Sequence, residues 1–420
     1  MKHSSRWISL CLLAACAVQT NISFAADGVA GFVENRLDRI DHAINAEISA
    51  GKIPGAVALI VKNGETIYHK SFGYADIASK TPMQNDSIFR IASMTKAVTT
   101  VAVLTLYERG HFQLNDPVSK YIPEFANPQV LVSADENGVV TETRPAKREI
   151  RIVDLLTHSA GLGYPFINTP LQKIYVENGI IDGLTEKEVR LEDQMVKLAE
   201  MPLLFDPGSK WNYGLSTDLL GRLVEVVSGK PLDQFFEEEI FVPLQMADTH
   251  FYLPPKDADR LVSLYAAVED ELVPYTDDSL SDLGDTNYPR VGAMTYFSGG
   301  AGLSSTAYDY ARFIEMLVND GELDGKRILS RKSVELMHSP RIDMDGDGDA
   351  EFGLGFLIVN DIGKSGEIGS AGVYGWGGAF NTSYWIDPEE DMIAVFMSQM
   401  RPTKSDITTR FRTLVYQALK

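Results

Sequence analysis

Cysteine is almost missing from this 420-residue chain, which has two, Cys11 and Cys16. Both fall in an N-terminal stretch with the character of a leader, so a chain cut after Ala25 would hold no thiol, and disulfides are excluded as a source of stability. Stability then has to come from a buried core, for which about 395 residues suffice as one large domain or two smaller ones. Long apolar runs are missing as well. Ile8 to Val18 is too short to cross a membrane as a helix. With Lys2 and Arg6 before it and Ser23-Phe24-Ala25 after it, the run reads as a secretory signal over residues 1–25 ahead of a folded domain at 26–420. Leu13-Ala14-Ala15-Cys16 also fits a lipoprotein box, in which Cys16 becomes the lipidated first residue. Either reading predicts export, to the periplasm or beyond it, with a tether in the second case. Positive charge is scarce too. Lys and Arg number 38 against 58 Asp and Glu, a net charge of −20, which argues against nucleic acid and anionic membrane as partners. There is no internal repeat and no low-complexity tract.

What is present centres on Ser93-Met94-Thr95-Lys96, at the opening of the apolar run Ala97 to Tyr107. Residues three apart share a helix face, so the Ser93 hydroxyl and the Lys96 amine can meet if a helix starts here. Serine is a weak nucleophile until a neighbouring base takes its proton, and a desolvated lysine can be that base. A first-turn position also sets backbone N–H groups and the positive end of the helix dipole beside a developing oxyanion. The bland reading of the same four residues is a solvated helix with a capping serine.

Around this stretch the chain divides by pattern. Phe32, Leu37, Ile40, Ile44 and Ile48 recur at helical spacing up to Gly51. Ala56 to Val61 and Thr66 to Tyr68 flank Asn63-Gly64, a strong hairpin signal. From Leu114 to about Arg290 short helices, loops and prolines prevail, with helical periodicity in Ile152 to Leu156, Glu186 to Glu200, Leu219 to Val227 and Leu232 to Ile240. Asn137-Gly138 marks a surface hairpin or excursion, and Glu269 to Asp285 an acidic loop. Strand patterns return in Gly353 to Val359 and Val373 to Phe396, with Asp387 to Asp391 as a turn, and Ser405 to Leu419 closes as a helix with Ser405 as its cap. The expected architecture is α/β of the α+β type. An antiparallel sheet is built from both chain ends (about 27–92 and 291–420) and flanked by helices, with a mostly helical lobe inserted at about 93–290.

Two further stretches can join the chemistry. In Trp211-Asn212-Tyr213-Gly214-Leu215-Ser216 the Tyr213 phenol, set beside an ammonium, could relay the serine proton to a leaving group. Tyr374-Gly375-Trp376-Gly377-Gly378-Ala379 is glycine-rich and precedes a strand, so a ligand can approach its backbone closely and find an oxyanion donor there.

Together these three stretches, in this order, resemble the class C β-lactamases, the D-alanyl-D-alanine peptidases and especially the family VIII carboxylesterases. The likeness extends through Phe89 to Lys96, Leu114 to Pro117, Leu155 to Leu162, Asp218 to Gly229 and Ser298 to Leu303. It implies a β-lactamase/transpeptidase-like fold, Ser93 as nucleophile, Lys96 as its base or proton partner and Tyr213 as the motif-two tyrosine. Trp376-Gly377-Gly378 stands at the third motif, with Ala379 supplying the second oxyanion N–H. His158 lies in a block of structural character and reads as a satisfied core or cap histidine. Trp376 replaces the lysine of Lys-Thr-Gly, and Leu215 replaces the asparagine of Tyr-x-Asn. Both changes favour an uncharged acyl substrate, hence ester hydrolysis through an acyl-enzyme, with no cofactor. The alternatives are a β-lactamase or peptidase acting on β-lactams or peptidoglycan peptides, and a catalytically silent binding protein. Asp343, Asp345 and Asp347, with Gly348 at the sixth position, begin like a calcium loop, but Leu354 stands where the bidentate glutamate belongs.

Overall fold

A computed structural model describes residues 31–269, 271–275, 287–346, 348 and 350–420. The leader with Cys16, most of the acidic loop up to Asp285, and Asp347 lie outside the described residues. Helix α1 (Glu34–Ser49) leads into β1 (Gly55–Lys62), β2 (Glu65–Asp76) and the short β3 (Thr81–Pro82). After the central part of the chain come β4 (Ile342–Asp343), β5 (Ala350–Phe352), β6 (Leu357–Val359), β7 (Val373–Gly378), β8 (Thr382–Asp387) and β9 (Met392–Met397). These nine strands form one sheet in the order β4-β5-β6-β7-β8-β9-β1-β2-β3. Antiparallel pairing of β9 with β1, from Val57 opposite Met397 to Lys62 opposite Met392, joins the two chain ends. The sheet from both ends is therefore as the sequence predicts.

Central strand β1 is buried along its whole length, the pattern of a strand covered on both faces. Its Val57, Leu59 and Val61 face one core, while Ala56, Ala58 and Ile60 face a second core shared with α1 and the C-terminal helix. On α1 the buried residues Leu37, Ile40 and Ile44 follow helical spacing, each contributing about 1.5–3 kcal/mol by leaving water. Between β1 and β2, Asn63 and Gly64 have φ of 52° and 72°, the positive pair that a tight hairpin turn demands.

Several boundaries differ from the expectation. The helix expected over Glu186 to Glu200 is Leu191–Ala199. Residues before it are held out of the helix by tertiary bonds, with Ala293 N donating to Glu186 O at 2.9 Å and Asn287 N to the Glu186 carboxylate at 3.1 Å. Gly353 to Val359 is not one strand, because Gly353 N bonds Phe356 O at 2.9 Å and folds the segment into a turn between β5 and β6. Leu232 to Ile240 begins as an α-helix but passes into a π-helical turn at Glu237–Phe241. The expected excursion at Asn137-Gly138 is a hairpin of Gln129–Ala134 with Val140–Pro145. Part of the acidic loop is a second hairpin, Tyr265–Val268 with Glu271–Pro274. Ser405 acts one residue before the cap position of the last helix, accepting from Ile407 N at 3.2 Å and donating to Glu47 of α1 at 2.7 Å.

Gly55 and Gly73 are paired across β1 and β2. A Cβ on Gly73, whose φ is +68°, would lie 2.5 Å from Pro54 O and 2.9 Å from Gly55 Cα. Gly73→Ala is expected to destabilise the fold by about 2–4 kcal/mol through backbone strain and overlap, seen as a lower urea midpoint. A midpoint equal to the parent's would refute this account of the pair.

Candidate active site

A two-residue strand, Phe89–Arg90, pairs with Ser304–Ser305 and hands the chain to a 3₁₀ turn at Ala92–Met94, which runs directly into α2 (Thr95–Glu108). Ala92 sits at φ 42°, an unfavourable left-handed conformation for a residue with a Cβ, held immediately before Ser93. Ser93 stays partly exposed, whereas Lys96, one turn below it, is 2% exposed. The amine donates to Ser93 Oγ at 3.2 Å, to the Tyr164 hydroxyl at 3.0 Å and to the Gly300 carbonyl at 2.7 Å. All three partners are uncharged.

The Gly300 carbonyl belongs to the segment Ser298 to Leu303, which is fastened to the same helix twice more. Thr99 donates to Gly299 O at 2.6 Å, and Leu303 N donates to Thr95 Oγ1 at 3.1 Å. That approach requires glycine: a Cβ on Gly299 would fall 2.6 Å from Thr217 O.

The Trp211 to Ser216 stretch is fixed against residues 158–163 by Asn212 N to His158 O at 2.8 Å, the Asn212 side chain to Leu162 O at 2.7 Å and Leu215 N to Gly163 O at 3.1 Å. This sets the Tyr213 ring 4.7 Å from Lys96 Nζ, measured to the ring centroid. From β7, Trp376 brings its indole N–H 3.3 Å from the Tyr213 hydroxyl. Its ring stands 5.5 Å from Tyr213 on one side and 5.5 Å from Phe352 on the other. Ser93, Lys96, Tyr213 and Trp376, scattered over nearly 300 residues, thus meet in one cluster. Gly378 reaches the Ile91 carbonyl so closely that a Cβ would overlap it, which locks the end of β7 to the turn that carries Ser93. Gly377 lies on the opposite face of the strand, and Ala379 follows at an exposed turn.

A family model described as Beta-lactamase matches residues 32–418. The chain belongs to the beta-lactamase family. Among relatives, esterase EstB of Burkholderia gladioli is 31% identical over 364 residues, covering 83% of this chain and 86% of that one. Lovastatin esterase of Penicillium rubens is 30% identical over 387 residues, with 85% and 91% covered. A solved structure described as EstCE1, a hydrolase with promiscuous acyltransferase activity, superposes with a TM-score of 0.79 at 29% identity, covering 91% of this chain and 99% of that chain. The family and the fold expected from the sequence are therefore both found.

Within this family fold, the structure adds groups that the sequence reading passed over. Tyr164 is 2% exposed and is the phenol whose oxygen bonds the Lys96 amine. Burial, with Tyr213 and Asp218 nearby, holds its hydroxyl protonated, well above the usual phenol range. Asp218 is fully buried at the start of helix α3 (Ser216–Ser228) and accepts from the Ser298 hydroxyl at 2.6 Å. The carboxylate thereby anchors the segment whose Gly300 carbonyl orients Lys96. His158 is buried, as expected of a core residue, and lies 4.9 Å from the Tyr213 ring. It is not satisfied as expected, because its Nδ1 has no hydrogen-bond partner. Burial and the nearby Lys96 push its proton affinity well down, so the ring is neutral at pH 7. In the stretch that begins like a calcium loop, the Asp343 carboxylate accepts from Gly346 N at 2.8 Å. Among the described residues no group of three His, Cys, Asp or Glu side chains is placed to hold a metal ion, and no helix is long and apolar enough to cross a membrane.

Burial pushes the Asp218 carboxyl up to about 6, against the Ser298 hydroxyl and Lys96, which draw it down. The folded chain thus binds this proton more tightly than the unfolded chain, whose carboxyl titrates near about 4. Its contribution to stability is complete below that pH and is lost as the pH rises to 6. Asp218→Asn cannot titrate and is expected to remove this slope. The change amounts to about 3 kcal/mol from two pKa units, measured as unfolding free energy at pH 4 against pH 7 in parent and variant. Equal slopes in the two proteins would show that the carboxyl does not titrate in this window.

Proposed function

We propose that the chain is an exported serine esterase that forms an acyl-enzyme on Ser93. The observation that carries this is the Lys96 amine, buried among uncharged partners and 3.2 Å from the Ser93 hydroxyl. In the first half-reaction Lys96 acts as a free amine whose lone pair takes the place of the N–H directed at Ser93; Ser93 Oγ attacks the ester carbonyl while its proton passes to that lone pair, and the tetrahedral oxyanion forms at the N-terminal turn of α2. Collapse breaks the bond to the alkoxide, which takes the proton back and leaves as alcohol. Water then attacks the acyl-enzyme by the same route and releases the acid. Tyr213, its oxygen bonded by Trp376, stands beside the amine on the substrate side, and Tyr164 fixes the amine from behind.

The substrate class follows from the wall. Tyr213 and Trp376, with the buried Phe352 packed behind the indole, present aromatic surface where a lysine would otherwise grip a carboxylate, which suits an uncharged acyl group. The relatives that are named esterases support the same class. Export rests on the leader sequence, with cleavage after Ala25 or lipidation at Cys16 as its two forms.

Ser93→Ala is expected to lower kcat/KM for p-nitrophenyl acetate at least about a thousandfold, and p-nitrophenyl esters are expected to turn over faster than nitrocefin. A Ser93→Ala protein with the parent's rate would end the proposal, and faster nitrocefin turnover would move the chain to the β-lactam reading. Tyr164→Phe, which removes one of three bonds to the amine, is expected to lower kcat about tenfold or more with KM little changed. An unchanged kcat would remove Tyr164 from the machinery.

A further inference from the structure

The strand that walls the site has a second face. Side chains alternate along β7, so Tyr374 belongs to the core on the Ser93 side and Val373 to the core beneath the C-terminal helix. On that rear face Gly375 and Gly377 leave two positions bare, opposite Trp385 and Ser383 of β8. The C-terminal helix α5, counted after α4 (Ala307–Val318), spans Ile407–Tyr416 and lies over this face. Its Phe411 packs on Trp385 at 5.4 Å between ring centroids. Towards the bare glycines it offers Thr408, Thr409 and Arg412 instead of apolar bulk. The result is a cavity of about 280 Å³ between strand and helix.

Two polar groups that line this cavity are buried without a hydrogen-bond partner, Ser383 Oγ and Arg412 Nη2, while the Trp385 indole N–H in the same lining is turned to the Tyr416 hydroxyl. Trp385 is only 5% exposed. Arg412 spends its other donors on Ile368 O at 3.2 Å and on Glu367 at 2.8 Å. A Cβ on Gly369 would come 3.0 Å from Nη2, so that edge of the guanidinium is given room by a glycine. Buried donors are rarely left unpaired, and two around one space call for an acceptor. Both can donate, one of them from a cation, which fits a carboxylate. Leu357, Val359 and Val373 supply the apolar remainder of the lining. The space equals about nine water volumes, enough for a short chain.

We propose that this cavity is a second binding site, for a small carboxylate with a short apolar tail, lying one sheet-thickness behind the Ser93 site. The acid released by ester cleavage is of that class, a link that rests on the esterase reading; the binding site itself does not. A bound carboxylate takes the open edge of Arg412, with Glu367 keeping the other, and fills the space behind Gly377.

The test is calorimetric titration of sodium hexanoate into the whole protein, with hexanol as the neutral control. One saturable site is expected, with hexanol at least tenfold weaker. Arg412→Gln and Ser383→Leu, which act from opposite walls, are each expected to weaken hexanoate at least tenfold. Thermal midpoints check that the variants are folded, and Ser383→Leu carries the test alone if Arg412→Gln is not. Protein labelled at Ser93 with a fluorophosphonate is expected to bind hexanoate as the parent does, which separates the rear site from product held at the front. Absence of saturable binding, equal affinity for hexanol, indifference to the rear variants or loss on labelling would each overturn the proposal. Failure of the label to react would count against the esterase reading only, since the two variants still decide the rear site.

Discussion

A primary amine enclosed by protein and bonded to a hydroxyl, a phenol and a peptide carbonyl is the constraint from which the rest of the site follows. Burying Lys96 is costly unless each of its donors finds an acceptor, and the three it finds come from three separate parts of the chain. One of them, the Gly300 carbonyl, is in reach only because the Ser298 to Leu303 segment lies flat on α2, with glycine where any Cβ would strike Thr217 or Asp218. Asp218 in turn keeps that segment in place from the other side. The Lys96 amine is thus aimed by a carboxylate that never touches it.

The topology adds a second constraint. Ser93 follows the N-terminal strands, Trp376 sits on a strand from the C-terminal third, and the two are joined through the pairing of β9 with β1. Loop closure over more than 300 residues must precede the meeting of Trp376 with Ser93, so the two share one surface only in the finished sheet. The overlap a side chain at Gly378 would make with the Ile91 carbonyl shows how little play remains between these two halves once they meet.

Legibility in the sequence followed the range of the interaction. Ser93 and Lys96 were readable because a spacing of three is a local property of helices, and Asn63-Gly64 because its turn needs two positive φ values. The sheet built from both ends was readable from strand patterns at those ends. Tyr164 was not: it is one of 17 tyrosines, it lies on no periodic element, and its partner is 68 positions away. A cue did exist, since it stands just after the block Leu155 to Leu162. Asp218 left a fainter cue, an acid set directly before the buried Leu219, Leu220 and Leu223 of α3. The helix expected from Glu186 failed for the converse reason, because residues near 287–293 claim the backbone that local propensity would have coiled.

The nearness of Gly31 to Lys420 carries a practical consequence. Phe32 bridges Leu419, Val33 N bonds Ala418 O at 2.7 Å, and Lys420 N bonds Gly31 O at 3.0 Å. Joining Gly31 to Lys420 through a few added residues, in place of residues 1–30, would leave every described strand in place, and the gene could be reopened at the hairpin around Asn137-Gly138. Such a permutant would present the Ser93 cluster unchanged while moving any fused partner to the helical side of the molecule.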